Sequence, residues 1–215
     1  LADPLTEKPV RVVIVTDPMC SWCWGMSNDI DLARETHRPD VTYDLLFGGI
    51  NTQGNQPIGE YGRRYLRRLW QEVAATTGQR FGDLVPEAYI HNSKLPCLAL
   101  EAVRLLTQRA PFDFLRKLQT SFFLEQKNIS ERATLLKLTS ESGYDAGEVD
   151  RLIDSTEVNA RIDFQFENAG AFGTEAMPSV LIEDHRSMRL LAGGYVDADM
   201  LDQLLKEALA HQLVE

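Results

Sequence analysis

Strand-like patterns occur only near the two ends of this chain, and a helical period fills what lies between them. Val10-Arg-Val-Val-Ile-Val15 is nearly all apolar and β-branched, the composition of a central strand buried on both faces. Val41-Thr-Tyr-Asp-Leu-Leu-Phe47 reads as a second strand, closed by Gly48-Gly49, and the residues from Cys23 to about His37 permit a helix that stops before Pro39. Strand, helix and strand in this order make a βαβ unit, whose strands are parallel and whose crossover is right-handed.

After the polar loop Asn51–Pro57 the period becomes helical. Tyr61, Tyr65, Leu69 and Val73 share one face, Leu98, Ala102, Leu105 and Leu106 a second, and Phe114, Leu115, Leu118 and Phe122 a third, the pattern of a helical bundle. Ser130 and Thr156 are read as N-caps, Gly143 as a helix stop, and Asp145 with Glu148 as a capping box. A helix through Val158, Ile162, Phe166 and Ala169 ends near Gly170 or Gly173. Strand character then returns: Ser179–Glu183 and Met188–Leu191 flank the polar turn Asp184–Ser187, an antiparallel hairpin. Asp197 caps a last helix with Met200, Leu201, Leu204, Leu205 and Ala208 turned inward. The two ends need each other to complete one sheet. The expected fold is therefore α/β, with residues 9–56 and 174–214 forming one discontinuous domain and residues 57–173 an inserted helical domain.

The 32 acidic and 22 basic residues give a formal charge of −10, which argues against nucleic acid or an anionic membrane as the main partner. The local exception, Arg63-Arg64-Tyr-Leu-Arg67-Arg68, has Glu60 and Glu72 four residues to either side and reads as a solvated helix face. No run approaches the roughly 18 apolar residues of a membrane span. The start LADPLTEKPV lacks the basic and apolar regions of a signal peptide, although it also lacks an initiating Met, so an earlier leader stays open. Three cysteines do not make a secreted disulfide framework, and a cytoplasmic protein is the expectation.

Two of those cysteines stand in Asp17-Pro-Met-Cys-Ser-Trp-Cys-Trp-Gly25, directly after the first strand. A thiolate rather than a thiol attacks a disulfide, and the free N–H groups and dipole of a first helical turn lower a thiol pKa. Cys20, exposed ahead of the helix, is the expected nucleophile. Cys23, one turn on and shielded, is the expected resolving thiol. Three other readings stand beside this one: chance, an inert short-loop disulfide of small stabilising effect, and a zinc half-site completed by Cys97 and His91, against which counts the lack of a second closely spaced pair. Trp22 and Trp24 offer an apolar rim or internal packing, with Trp22 the more exposed. Cys97, near a helix start with Pro96, is read as a small core residue. Ala176-Met177-Pro178-Ser179 puts a proline at the start of a strand, where it need not donate to the ladder, and a cis bond there would leave the Met177 backbone free to pair with an extended peptide.

The CxxC after the first strand, the helical insertion, the apolar residue and proline before the hairpin, and the final helix together resemble the thioredoxin superfamily in its DsbA-like branch. Within it DPMCSWCWG is most similar to the FrnE-type disulfide oxidoreductases, over nearly the whole chain from Val10 to about Leu213. The resemblance implies that Cys20 attacks and Cys23 resolves. It makes Met177 and Pro178 a cis-proline loop for substrate backbone, with Ser21, Trp22 and Trp24 beside it. It also implies protein thiols and disulfides as substrates in an oxidase or isomerase type of exchange, with chaperone activity on the same apolar surface and glutathione or a thioredoxin-type protein for recycling. No metal or organic cofactor is expected. The kappa-class transferases and hydroxychromene-carboxylate isomerases, glutathione-dependent enzymes, share the architecture but normally have serine where Cys20 stands. Ile14 occupies the place of thioredoxin's buried Asp, and Asp17 is read either as a replacement or as an exposed turn residue.

Overall fold

The computed structural model describes residues 10–37, 41–86, 89–183 and 187–212. Four strands, β1 (Val10–Thr16), β2 (Val41–Phe47), β3 (Ser179–Glu183) and β4 (Met188–Gly193), form one sheet in the order β2-β1-β3-β4. β1 runs parallel to β2 and antiparallel to β3, and β3 and β4 form the antiparallel pair. Residues 184–186 of the expected turn lie outside the described residues. β1 is an inner strand with both faces covered, which is why it reads as a continuous apolar run. Val12 and Ile14 point into the main core. Val13 and Val15 point the other way, against Leu181, Leu46, Phe172, Met177 and Leu190.

Between β1 and β2 the chain forms α1 (Ser21–Gly25) and α2 (Ser27–Thr36) rather than one helix from Cys23. The start moves forward because Cys20 is itself the N-cap. The break follows from the Trp24 carbonyl, which accepts from Ser27 Oγ at 2.6 Å and Gln79 Nε2 at 3.1 Å and so leaves the helical ladder. Between β2 and β3 come α3 (Glu60–Thr77), α4 (Lys94–Thr107), α5 (Phe112–Phe123), α6 (Arg132–Glu141), α7 (Ala146–Ile153) and α8 (Thr156–Asn168), and α9 (Ala198–Gln212) closes the chain. α9 packs on α2, while α3 packs on α1 and α8 on β2, so the helical segment grips the end of the sheet from which the cysteines emerge.

The core face of α3 is Leu66, Trp70 and Val73, whereas Tyr61 and Tyr65 are exposed. An i, i+4 row drifts about 40° per step, so over three steps it leaves the face on which it ends. Leu106 and Met200 turn out to solvent for the same reason, beside the buried Val103 and Leu201. The α5 face is buried throughout. Two caps shift by one residue. Ser130 is held in a turn by Asn128 Oδ1, leaving Glu131 as the N-cap of α6, and Ser155 rather than Thr156 accepts from the Val158 N–H. Asp145 accepts from the Glu148 N–H at 3.0 Å, and Asp197 caps α9 through the Met200 N–H at 2.9 Å. Among the described residues no helix is long and apolar enough to cross a membrane.

Candidate active site

The C-terminal end of β1 hands the chain to a tight turn. Asp17 Oδ1 accepts the Met19 N–H at 2.7 Å and the Asp17 carbonyl accepts the Cys20 N–H at 3.2 Å. This Asx-type turn aims Cys20 at the N-cap position, with extended φ and ψ of −78° and 116°. Cys20 Sγ, in the role usually filled by a serine or aspartate oxygen, accepts from the Cys23 N–H at 3.2 Å. The sulfur thereby takes the acceptor role of an N-cap oxygen at the start of α1.

Cys20 and Cys23 are both free thiols. Cys20 is only 7% exposed, against the expectation of an exposed nucleophile. The reason is the loop before β3, whose Met177 carbonyl lies 3.6 Å from the Cys20 sulfur. The Met177–Pro178 bond is cis. Neither the N–H nor the carbonyl of Met177 is used in a backbone bond among the described residues. Its side chain lies across Gly48 so closely that a Cβ on Gly48 would fall 2.2 Å from the Met177 sulfur, and glycine at the end of β2 is what admits it. Cys23 is 2% exposed, and burial, then the hydrogen bond with Cys20 and the charge there, push its thiol well up from its ordinary value.

The two tryptophans part company. Trp22 is half-buried, its ring 6.0 Å from Tyr195, which follows Gly193-Gly194; the Gly194 N–H binds the Pro178 carbonyl at 2.9 Å, tying this turn to the site. Trp24, also expected at the rim, is in the core. It stacks on Phe123, lies under Arg116, and donates from its indole nitrogen to the Arg80 carbonyl at 2.8 Å. Two residues on a helix are about 200° apart, so only one indole faces outward. Ser21, also expected on the substrate side, is buried, at 5% exposed.

Asp17 is not an exposed turn residue. It has no exposed surface, and its Oδ2 accepts from Ser93 Oγ and, at 3.8 Å, from the Cys97 thiol. Burial raises its carboxyl to about 6, with the bonds from Ser93, Met19 and Cys97 acting in the opposite direction. Ser93, whose hydroxyl also accepts the Ile50 N–H at 2.7 Å, joins the helical segment to the site. Nothing in the spacing of residues 17 and 93 announces the pairing. The apolar run before Asp17 was the one available hint that the carboxylate would be carried inside. Cys97 is fully buried against Asp17, and His91 is bonded to the Tyr89 hydroxyl at 3.0 Å, so neither completes a site with Cys20 and Cys23. Among the described residues no group of three or more His, Cys, Asp or Glu could hold a metal ion.

A family model described as thioredoxin matches residues 14–193. The chain is 21% identical to the ClpXP adapter protein SpxH of Bacillus subtilis (strain 168), over 96% of this chain and 70% of that protein. Among solved structures, a candidate protein disulfide isomerase from Nitrosomonas europaea superposes with a TM-score of 0.86 at 27% identity, covering 95% of this chain and 99% of that one. The cytosolic disulfide reductase DsbM from Pseudomonas aeruginosa superposes with a TM-score of 0.77 at 24% identity, covering 93% and 98%, and has also been solved with glutathione. A CxxC at the N-cap of α1 facing a cis-proline loop, on a sheet of this order and under a family model spanning most of its length, places the chain in the thioredoxin family.

Proposed function

We propose that this protein exchanges disulfides with protein thiols through a mixed disulfide on Cys20. The observation that carries the reading is the position of one sulfur: it accepts the Cys23 N–H at 3.2 Å and lies 3.6 Å from the Met177 carbonyl. In the first contact the sulfur accepts an N–H at the start of α1. In the second the thiol donates to the carbonyl, which sets the sulfur beside backbone groups that an extended substrate can pair with. In the reducing direction the Cys20 thiolate attacks a substrate disulfide, expelling one substrate thiolate. Cys23 then loses its proton and attacks Cys20, the Cys20–Cys23 bond forms, and the second substrate thiolate leaves. Two electrons pass to the substrate, and the oxidising direction is the reverse.

Ser21, Trp22, Met177 and Pro178 form the substrate side of the site, with the half-buried Trp22–Tyr195 pair as an apolar rim suited to unfolded polypeptide. Isomerase and holdase activities belong to the same surface. Glutathione is the proposed recycling thiol, in keeping with the glutathione-bound DsbM structure. A cytoplasmic location follows the description of DsbM as cytosolic, and the motif keeps the chain nearest the FrnE type.

Mutation of each cysteine tests the mechanism. Cys20→Ser is expected to abolish insulin reduction and disulfide isomerisation, while Cys23→Ser accumulates mixed disulfides visible by mass; full activity in both variants overturns the proposal. A second reading comes from the five relatives named as ClpXP adapters, in which the groove binds a client without exchanging electrons. It predicts that a double Cys20→Ser, Cys23→Ser variant retains the full client-binding function of the protein.

A further inference from the structure

Behind the resolving cysteine lies a cavity of about 20 Å³, lined by the buried Ile14, Thr16, Cys23 and Gln119 and by the partly exposed Asp31 and Arg116. That volume suits one water and nothing larger, since about one probe sphere of space is what a water requires. A water also needs two to four polar partners. Ser27, on the same wall, has none to spare: its hydroxyl donates to the Trp24 carbonyl and accepts from Gln79 and Arg116. Gln119 is the opposite case. It is 2% exposed, lines the cavity, and makes no hydrogen bond among the described residues. Its amide atoms are not among the fully enclosed unpartnered ones, which among the described residues are Trp70 Nε1 and Arg104 Nε, so they stay open to a water-sized probe, and such groups are normally satisfied by ordered water. Thr16, also 2% exposed and the last residue of β1, lines the same cavity, and its side chain acts against the upward shift of the Cys23 thiol. Three groups therefore converge on one water-sized space: the Cys23 thiol, the Thr16 hydroxyl and the Gln119 amide.

We propose that this cavity holds one ordered water, and that Thr16, Gln119 and this water are the port through which Cys23 releases and regains its proton. The inference rests on the dithiol reading above. In either direction of exchange Cys23 must pass between thiol and thiolate, yet at 2% exposure it does not meet bulk solvent. The proton leaves Cys23 for the water and passes outward past the Asp31–Arg116 ion pair, 2.5 Å long with its members 46% and 27% exposed. The electron pair left on sulfur then forms the bond to Cys20. Gln119 is a positioning residue here: it holds the water that touches the reacting thiol. The charged groups around Cys23 are Cys20 on α1, Asp17 at the end of β1 with Cys97 behind it on α4, Asp31 on α2 and Arg116 on α5.

The two exchange steps can be timed separately with dithiobis-nitrobenzoate. Attack by Cys20 on the reduced protein releases one coloured thiolate, and attack by Cys23 on the resulting mixed disulfide releases the second. Gln119→Leu keeps the bulk and removes the amide. The expected result is an unchanged first release, a second release slowed about tenfold, and a pH profile of that second release displaced to higher pH. Thr16→Val gives an independent variant with the same expectation, should Gln119→Leu not fold. A second release at the parental rate and pH profile in a folded variant overturns the port, as does equal slowing of both steps, which marks a structural effect. A parental protein showing no Cys20-dependent first release overturns the dithiol reading instead.

Discussion

A carboxylate three residues before Cys20 has been carried wholly out of water, and its proton affinity shows what that does. Asp17 titrates at about 6 in the folded chain against an ordinary 3.8, because burial disfavours the charged form more than Ser93, Met19 and Cys97 favour it. The folded state therefore binds this proton more tightly than the unfolded state. The destabilisation is absent below pH about 4, grows as the pH rises, and is complete above about 6, reaching ~3 kcal/mol. Asp17→Asn removes the charge and keeps an oxygen for the Met19 N–H. Thermal melts of the two proteins are expected to diverge in the variant's favour between pH 4 and 7, and a constant offset across that range would contradict the assignment. The sequence left Asp17 with two readings because a turn residue after a strand is ordinarily solvated. Ser93, its partner from the helical segment, is what closes water out.

At the scale of elements, the short helix bearing the cysteines is held by its neighbours more than by its own propensity. α1 spans five residues, too few for a stable isolated helix. It is braced by α3 at Gly25, where an added Cβ would fall 2.7 Å from Val73 Cγ1 and 3.0 Å from Thr77 Cγ2. Val73 is fully buried and cannot yield without disturbing the core. Gly25→Ala is expected to destabilise the protein by about 1–3 kcal/mol in denaturant unfolding. It also moves α1, so the rate of Cys20 alkylation changes with it, whereas a stability loss with unaltered alkylation would uncouple the two. Strands and most helices were legible because apolar period is a local property. What was not legible was rotation and phase. The α3 row beginning at Tyr61 has the right period but starts on the wrong face, and the Trp24 carbonyl that ends α1 does so by bonding Gln79, fifty-five residues away.

Across the whole molecule, one apolar cluster runs from the sheet into the helices, taking in Val12, Ile14 and Phe47 together with Trp70, Leu118 and Phe122. We infer that residues 57–173 are an inserted domain by topology but not a separate folding unit. Urea unfolding followed by tryptophan fluorescence and by far-ultraviolet circular dichroism is therefore expected to give coincident transitions; separated midpoints would show two independent units. By itself the sequence determined the fold class and the order of elements, and it singled out Cys20 and Cys23 as the candidate thiols, because alternation, helical period, turn residues and a CxxC are all written within a few neighbouring positions. Only the tertiary structure decided which indole reaches the surface, that Asp17 is buried against Ser93 and Cys97, that the Met177 carbonyl faces Cys20, and that Gln119 stands behind Cys23. Each of these joins residues far apart in the chain, and such contacts are set by how whole helices pack on the sheet, which no local pattern encodes.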